Sequence, residues 1–286
     1  MDRTILRALS FIIAVVMLFP VALSAAPKSP TLVLGVFPYI SANQMMEQLS
    51  PLCKRIEAAL GKKVTMISAP DFLSFVERTT KGEYDLVLTA PHMGRLAQTR
   101  DGWHLVVQSG QRTAAVLLVR KDSGIHGVKD LRGRKMAVGN WRSVTYLLAE
   151  EELLKNGITP RKDIQVIETA TFSNVVQAVF RREADVGATP TLLWDNWVNV
   201  NREQHRQLRE IFRARPATPS FLVMTRPGTD KADIRRLRTS LLSFGDTDEG
   251  RTFFRKSQFG SFLPIDEETM RSIDPFVHVL IPGAEK

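Results

Sequence analysis

A single cysteine, Cys53, leaves this chain without any intrachain disulfide. Stapled small-domain scaffolds are therefore excluded, and the fold must rest on a hydrophobic core. Cys53 itself lies in an apolar-periodic stretch and reads as a small buried hydrophobe. Histidine is also scarce. The five are His92, His104, His126, His205 and His278, and no two stand at HExxH spacing. A GxSxG nucleophile elbow is missing, and the glycine-containing stretch 127–135 lacks the Gly-Lys-Ser/Thr ending of a phosphate loop. These absences remove the common enzyme signatures, and no cofactor or metal is implied. The formal charge is +9, yet there is no Lys/Arg block, zinc-finger spacing or aromatic RNA-binding motif, so nucleic acid is not an expected partner. A basic balance admits an anionic ligand, although a mixed, solvated surface accounts for most of it.

The N-terminus has the three parts of an export signal. Arg3 and Arg7 precede an apolar run over 8–23 that only Ser10 and Pro20 interrupt, and Ala22, Ser24, Ala25 and Ala26 follow. Cleavage near residues 24–26 is expected, which places the mature protein in the periplasm. An uncleaved anchor is the alternative, because the run approaches the ~20 residues needed to span a bilayer. Beyond it there is no second long apolar run. About 260 residues remain after the signal, enough for two lobes of roughly 100–150 residues.

Past residue 30 short apolar runs alternate with helical periodicity. Strands are expected at 31–37, 63–68, 84–89 and 103–108, with helices over 43–60 and 72–80, the latter N-capped by Asp71. Pro51 is expected to kink or delay the first helix. The pattern then repeats: strands at 114–120, 135–138, 164–168, 185–188 and 220–225, and helices at 143–156, 173–182, 191–200 and 231–243. This order predicts an α/β fold with mainly parallel sheets covered by helices. An internal echo joins EYDLVLTAP at 83–91 with EADVGATP at 183–190. Parallel sheets present ligand loops at their carboxyl strand ends. Thr89 to His92 and Thr189 are thus expected to face each other across a cleft, unless so short a match is coincidence.

The strongest local candidate is the run Gly139-Asn140-Trp141-Arg142-Ser143-Val144-Thr145-Tyr146. It leads from a strand into a helix, where free backbone amides and the helix dipole attract an anion. Ser143 and Thr145 add hydroxyls and Arg142 a charge. The plainer alternative makes Ser143 only an N-cap and points Arg142 into water.

Several pieces, in this order, carry a family resemblance: LVLGVFPYIS, LSPLCKRIEAALGKKV, APDFLSFVE, GEYDLVLTAP, LLVRKDSGIHGVKDLRGRKMAVGN, RSVTY, VVQAVFRREADVGA and ARPATPSFLV. Over about Leu32 to Pro264 the chain resembles the phosphonate-type periplasmic substrate-binding proteins of ABC transporters. The resemblance implies a two-lobed type II periplasmic binding fold with two crossing strands as a hinge. It places one lobe at 30–113 and 221–286 and the other at 118–215. It also implies a monomeric solute receptor that is not an enzyme. Such a receptor serves an ABC permease or, alternatively, a membrane histidine kinase. The family's oxyanion grip reads Ser-Thr-Ser-Gly. Here it matches Ser143, Val144, Thr145 and Tyr146, which keeps two hydroxyl positions and exchanges glycine for a bulky tyrosine expected to fill or line the pocket. Further pocket positions match Tyr39 and Ser41, Thr89, Pro91 and His92, and Ser173. Some members have a ligand-binding glutamate at that last position, so an aminoalkylphosphonate is not expected. The implied ligand is a small anion of phosphonate, phosphite, phosphate or sulfonate type.

Overall fold

A computed structural model describes residues 31–215 and 218–281. The expected export signal and Pro216 of the expected crossing lie outside the described residues. Among the described residues no helix is long and apolar enough to cross a membrane.

Two sheets organise the chain. The first takes β1 (Leu32–Val36), β2 (Val64–Ser68), β3 (Leu86–Thr89), β4 (His104–Ser109), β12 (Leu222–Thr225) and β13 (Phe262–Leu263), in the order β13-β4-β12-β3-β1-β2. The second takes β6 (Ala115–Arg120), β7 (Lys135–Val138), β8 (Gln165–Glu168), β9 (Val186–Pro190) and β10 (Leu208–Arg213), in the order β10-β6-β9-β7-β8. Between them β5 (Arg112–Thr113) and β11 (Thr218–Pro219) pair antiparallel, so both passages of chain from one sheet to the other run side by side.

The α/β class holds, but the pairing within each sheet is mixed and not mainly parallel. β1 pairs parallel with β2 and β3, and β7 pairs parallel with β8 and β9. One strand delivered by a crossing then inserts antiparallel: β12 between β3 and β4, and β6 between β9 and β10. The helix-linked strands keep a common direction, as their crossovers require. The inserted strands arrive from the other sheet without a helix and run the opposite way.

Helices cover the faces. In the first half these are α1 (Ala42–Leu60), α2 (Phe72–Thr80) and α3 (Pro91–Asp101). In the second they are α4 (Val144–Lys155), α5 (Phe172–Phe180), α6 (Thr191–Val200) and α7 (Arg202–Gln207). α8 (Lys231–Leu242), α9 (Asp248–Ser257) and α10 (Glu267–Arg271) return to the first half. Local signals mark most helix starts. Asp71 caps α2 through the Ser74 amide at 2.8 Å, and Ser41 forms a capping box with Gln44 on α1. α1 passes Pro51 without a break, because Leu49, Leu52 and Ile56 bury its face on both sides of the proline. Cys53 is only half-buried, at the margin of that packing. β6 shows strand alternation: Leu117 and Val119 enter one core with Tyr146 and Leu147, while Val116 and Leu118 enter the other with Val175 and Trp194.

The internal echo is structural. The Asp85 carboxylate accepts the Val33 amide at 2.8 Å, and the Asp185 carboxylate accepts the Lys135 amide at 2.8 Å. Each aspartate thus ties the start of the strand that follows it, β3 or β9, to the start of that strand's parallel neighbour, β1 or β7. Hydrogen bonds to a charged partner contribute about 1.5–3 kcal/mol. Asp85→Ala and Asp185→Ala are each expected to lower stability by about 2 kcal/mol. Because the sites lie in different sheets, the double variant should equal the sum within about 0.5 kcal/mol. Urea denaturation measures this, and two losses under 0.5 kcal/mol would refute the role.

Candidate functional site

A cavity of about 650 Å³ is lined by residues of both sheets' halves. The two echo loops meet there: Ala90, Pro91 and His92 line it from the first half, and Pro190, Leu192 and Leu193 from the second. Ser143, Val144 and Thr145 at the start of α4, Thr171, Phe172 and Ser173 at the start of α5, and Asn196, Trp197 and Asn201 add to the second half's share. Four helices, α3 to α6, therefore present their N-terminal residues to one space. Each brings amides without intrahelical acceptors and the positive end of a dipole. Among the described lining residues there is no carboxylate, and the exposed Lys256 is the one full charge.

The α4 entry has a specific division of labour. The Ser143 hydroxyl donates to the Asn140 carbonyl at 2.6 Å and accepts the Tyr146 amide at 3.2 Å. Its proton is engaged by that carbonyl and its oxygen caps the helix. The Thr145 side chain is 6% exposed, lines the cavity and makes no hydrogen bond among the described residues. Val144 and Thr145 are the first two residues of the helix, so their amides also lack intrahelical partners.

His92 connects the halves. Its Nε2 lies 2.9 Å from the Arg142 carbonyl. A carbonyl only accepts, so Nε2 carries the proton, and Nδ1 is a buried atom with no partner among the described residues. The ring is 1% exposed, and burial pushes its pKa down to about 4, against a smaller opposite effect of the Arg142 carbonyl.

The remaining expected residues are divided. Tyr39 lines the cavity, stacked on Phe37 at 4.9 Å and 5.0 Å from Phe221. Its hydroxyl is buried without a partner among the described residues, and burial raises its pKa. Ser41 does not line it: the residue is exposed and occupied as the α1 cap, while its neighbours Ile40 and Gln44 do. Thr89 and Thr189 are 1% and 0% exposed at the ends of β3 and β9, one residue short of the lining. Trp141 and Arg142 sit outside the lining as well. The Arg142 guanidinium lies 3.7 Å from the Trp141 ring centre and Arg161 lies 4.2 Å away, so the indole is flanked by two cations. Tyr146 corrects an expectation. It is 1% exposed in the second core, bonded to Glu150 at 3.3 Å, because its place on α4 faces the sheet and not the cavity.

Sequence reasoning missed the aromatic walls. Phe37 and Phe72 face the cavity from the first half, and Phe172 and Trp197 from the second. Their only sequence signal is apolar periodicity, which core residues share.

The profile of the family described as "ABC transporter, phosphonate, periplasmic substrate-binding protein" matches residues 34–270. Among solved structures, the fold is similar to a Xanthomonas citri protein crystallised with chloride. It has 25% identity and a TM-score of 0.74, with 87% of this chain and 98% of that one covered. The same protein has also been solved with ATP. It is similar too to a Prochlorococcus marinus protein in complex with methylphosphonate (16% identity, TM-score 0.77, 89% and 99% covered). The binding component of a Pseudomonas aeruginosa phosphonate transporter gives 19% identity and a TM-score of 0.75, with 88% and 87% covered. The fold they share is the two-lobed type II periplasmic binding fold, and the matched family is one of transporter substrate-binding proteins and not of enzymes. A match over most of the chain, a mixed-sheet fold and a cavity shared by both halves lead to one assignment: the chain belongs to the phosphonate family of periplasmic substrate-binding proteins of ABC transporters.

Proposed function

We propose that the protein captures an oxyanion-bearing solute outside the cytoplasm, closes on it and delivers it to an ABC permease. The halves built on the two sheets act as the lobes, and the paired passages β5 and β11 act as the hinge. The carrying observation is the convergence of four helix N-termini on a cavity without a carboxylate in its described lining. Backbone amides and dipoles stabilise negative charge there. A phosphonate or sulfonate head fits the start of α4, held by the Val144 and Thr145 amides and the Thr145 hydroxyl. Ser173 leaves no carboxylate for a ligand amine, which favours a head without an aminoalkyl group. The methylphosphonate in the Prochlorococcus marinus relative supports the same class.

Thr145→Val keeps the side-chain shape and deletes one donor outside the cap. Loss of a hydrogen bond to a charged group, about 1.5–3 kcal/mol, is expected to weaken oxyanion binding about tenfold or more. Calorimetric titration of folded protein with phosphonate and sulfonate probes checks this. Wild-type affinity in the variant would remove the α4 entry from the site.

A further inference from the structure

The cavity offers far more room than an oxyanion head needs, and its walls are apolar. At about 650 Å³ it falls inside the ~300–1,000 Å³ range of pockets that enclose drug-sized molecules. Its apolar surface comes mainly from Phe37, Phe72 and Phe221 in one half and Phe172, Leu192 and Trp197 in the other, beside the amide side chains of Gln44, Gln48, Asn196, Asn201 and Gln258 and the exposed Lys256. Ring planes meet at several angles: Phe37 and Phe72 are edge-on at 6.0 Å, and Phe37 and Phe221 are tilted at 5.7 Å. Flat and edge-presenting walls of this kind receive a ring or a branched hydrocarbon.

The aromatic wall itself has no charged side chain, so a body lying against it gains nothing from a charge and loses the hydration of any charge it carries.

We propose that the ligand is an oxyanion carried on a bulky, uncharged apolar body, an aryl or branched-alkyl phosphonate or sulfonate, and not a bare or methyl-sized oxyanion. This rests on the oxyanion reading above and adds the second half of the molecule. The head lies against the α4 entry and the body against the aromatic wall, so both halves of the protein contact each ligand.

Calorimetric titration of the full chain with matched probes tests it: phenylphosphonate against methylphosphonate, benzenesulfonate against methanesulfonate, and benzyl alcohol as the uncharged ring. At least one aryl anion is expected to bind tenfold or more tightly than its methyl counterpart, a difference of about 1.4 kcal/mol. Leu192→Ala and Phe172→Ala, checked for folding by circular dichroism, are expected to shrink that ratio several-fold. Methyl probes binding as tightly as aryl ones would overturn the apolar-body inference while leaving the oxyanion reading in place. Benzyl alcohol binding as tightly as phenylphosphonate would overturn the oxyanion reading itself, and with it the ligand class proposed here. Failure of every anion to bind overturns both.

Discussion

Between pH 6.5 and pH 4 the protein is expected to lose about 3 kcal/mol of stability through His92 alone. The ring is 1% exposed and its pKa is depressed from 6.5 to about 4 by burial. An unfolded or opened chain takes up the proton near 6.5, and the native ring resists it until about 4. Stability rises with pH wherever the unfolded state binds more protons. The contribution is therefore complete above about pH 6.5 and is lost progressively as the pH falls to about 4. At 1.36 kcal/mol per pKa unit, the depression corresponds to about 3 kcal/mol. Carboxylates held low act in a lower window. Hydrogen bonding to Arg120 brings Asp122 to about 2, and the Ser74 amide and hydroxyl, with a smaller effect of the Arg142 charge, hold Asp71 down. Their stabilisation is lost only as the pH falls below the ordinary carboxylate range. Urea denaturation of wild type and His92→Gln at pH 7, 5.5 and 4.5 isolates the histidine. Glutamine retains a donor for the Arg142 carbonyl and does not titrate. The variant should be nearly flat across that interval, and equal slopes in both proteins would rule His92 out.

Gly250→Ala is expected to cost about 3 kcal/mol or more. Gly250 lies in the first turn of α9, where the Thr247 hydroxyl accepts its amide at 3.0 Å. The helix start folds back so tightly that a Cβ here would stand 1.8 Å from the Phe244 carbonyl oxygen and 2.5 Å from its carbon. Overpacking usually costs 1–3 kcal/mol. This contact is with backbone, which has no rotamer to yield, so the upper part of that range or beyond applies. Melting should fall by roughly 6–12 °C at 2–4 °C per kcal/mol for a domain of this size. Gly245→Ala is the matched control, since its Cβ would meet Phe254 at an ordinary 3.6 Å. Losses within 0.5 kcal/mol of each other would show that the close approach at Gly250 is readily relieved.

Local chemistry was legible in the chain. Asp71 and Ser143 announce helix starts because a short oxygen-bearing side chain caps the amides two or three residues on, whatever surrounds it. The echo of Glu83-Tyr84-Asp85 in Glu183-Ala184-Asp185 was visible because the same strand-tying bond is made twice. The edge strand β10 escaped notice because Arg209, Glu210 and Arg213 interrupt its alternation. The antiparallel insertion of β12 and β6 escaped for another reason. Each pairs with strands far away in sequence, and nothing local in Leu222–Thr225 or Ala115–Arg120 states which neighbours they take.

The site divides along the same line. The sequence by itself placed the α4 entry and the two proline-bounded loops at strand ends, since strand, turn and cap are settled within a few residues. Only the tertiary structure decided that Tyr146 turns into the core, that Ser143 is spent on its cap, and that Phe37, Phe72, Phe172 and Trp197 face a common cavity. An apolar side chain has the same pattern in the sequence whether protein or ligand covers it. Which of the two does so depends on the distance between surfaces that the two sheets set.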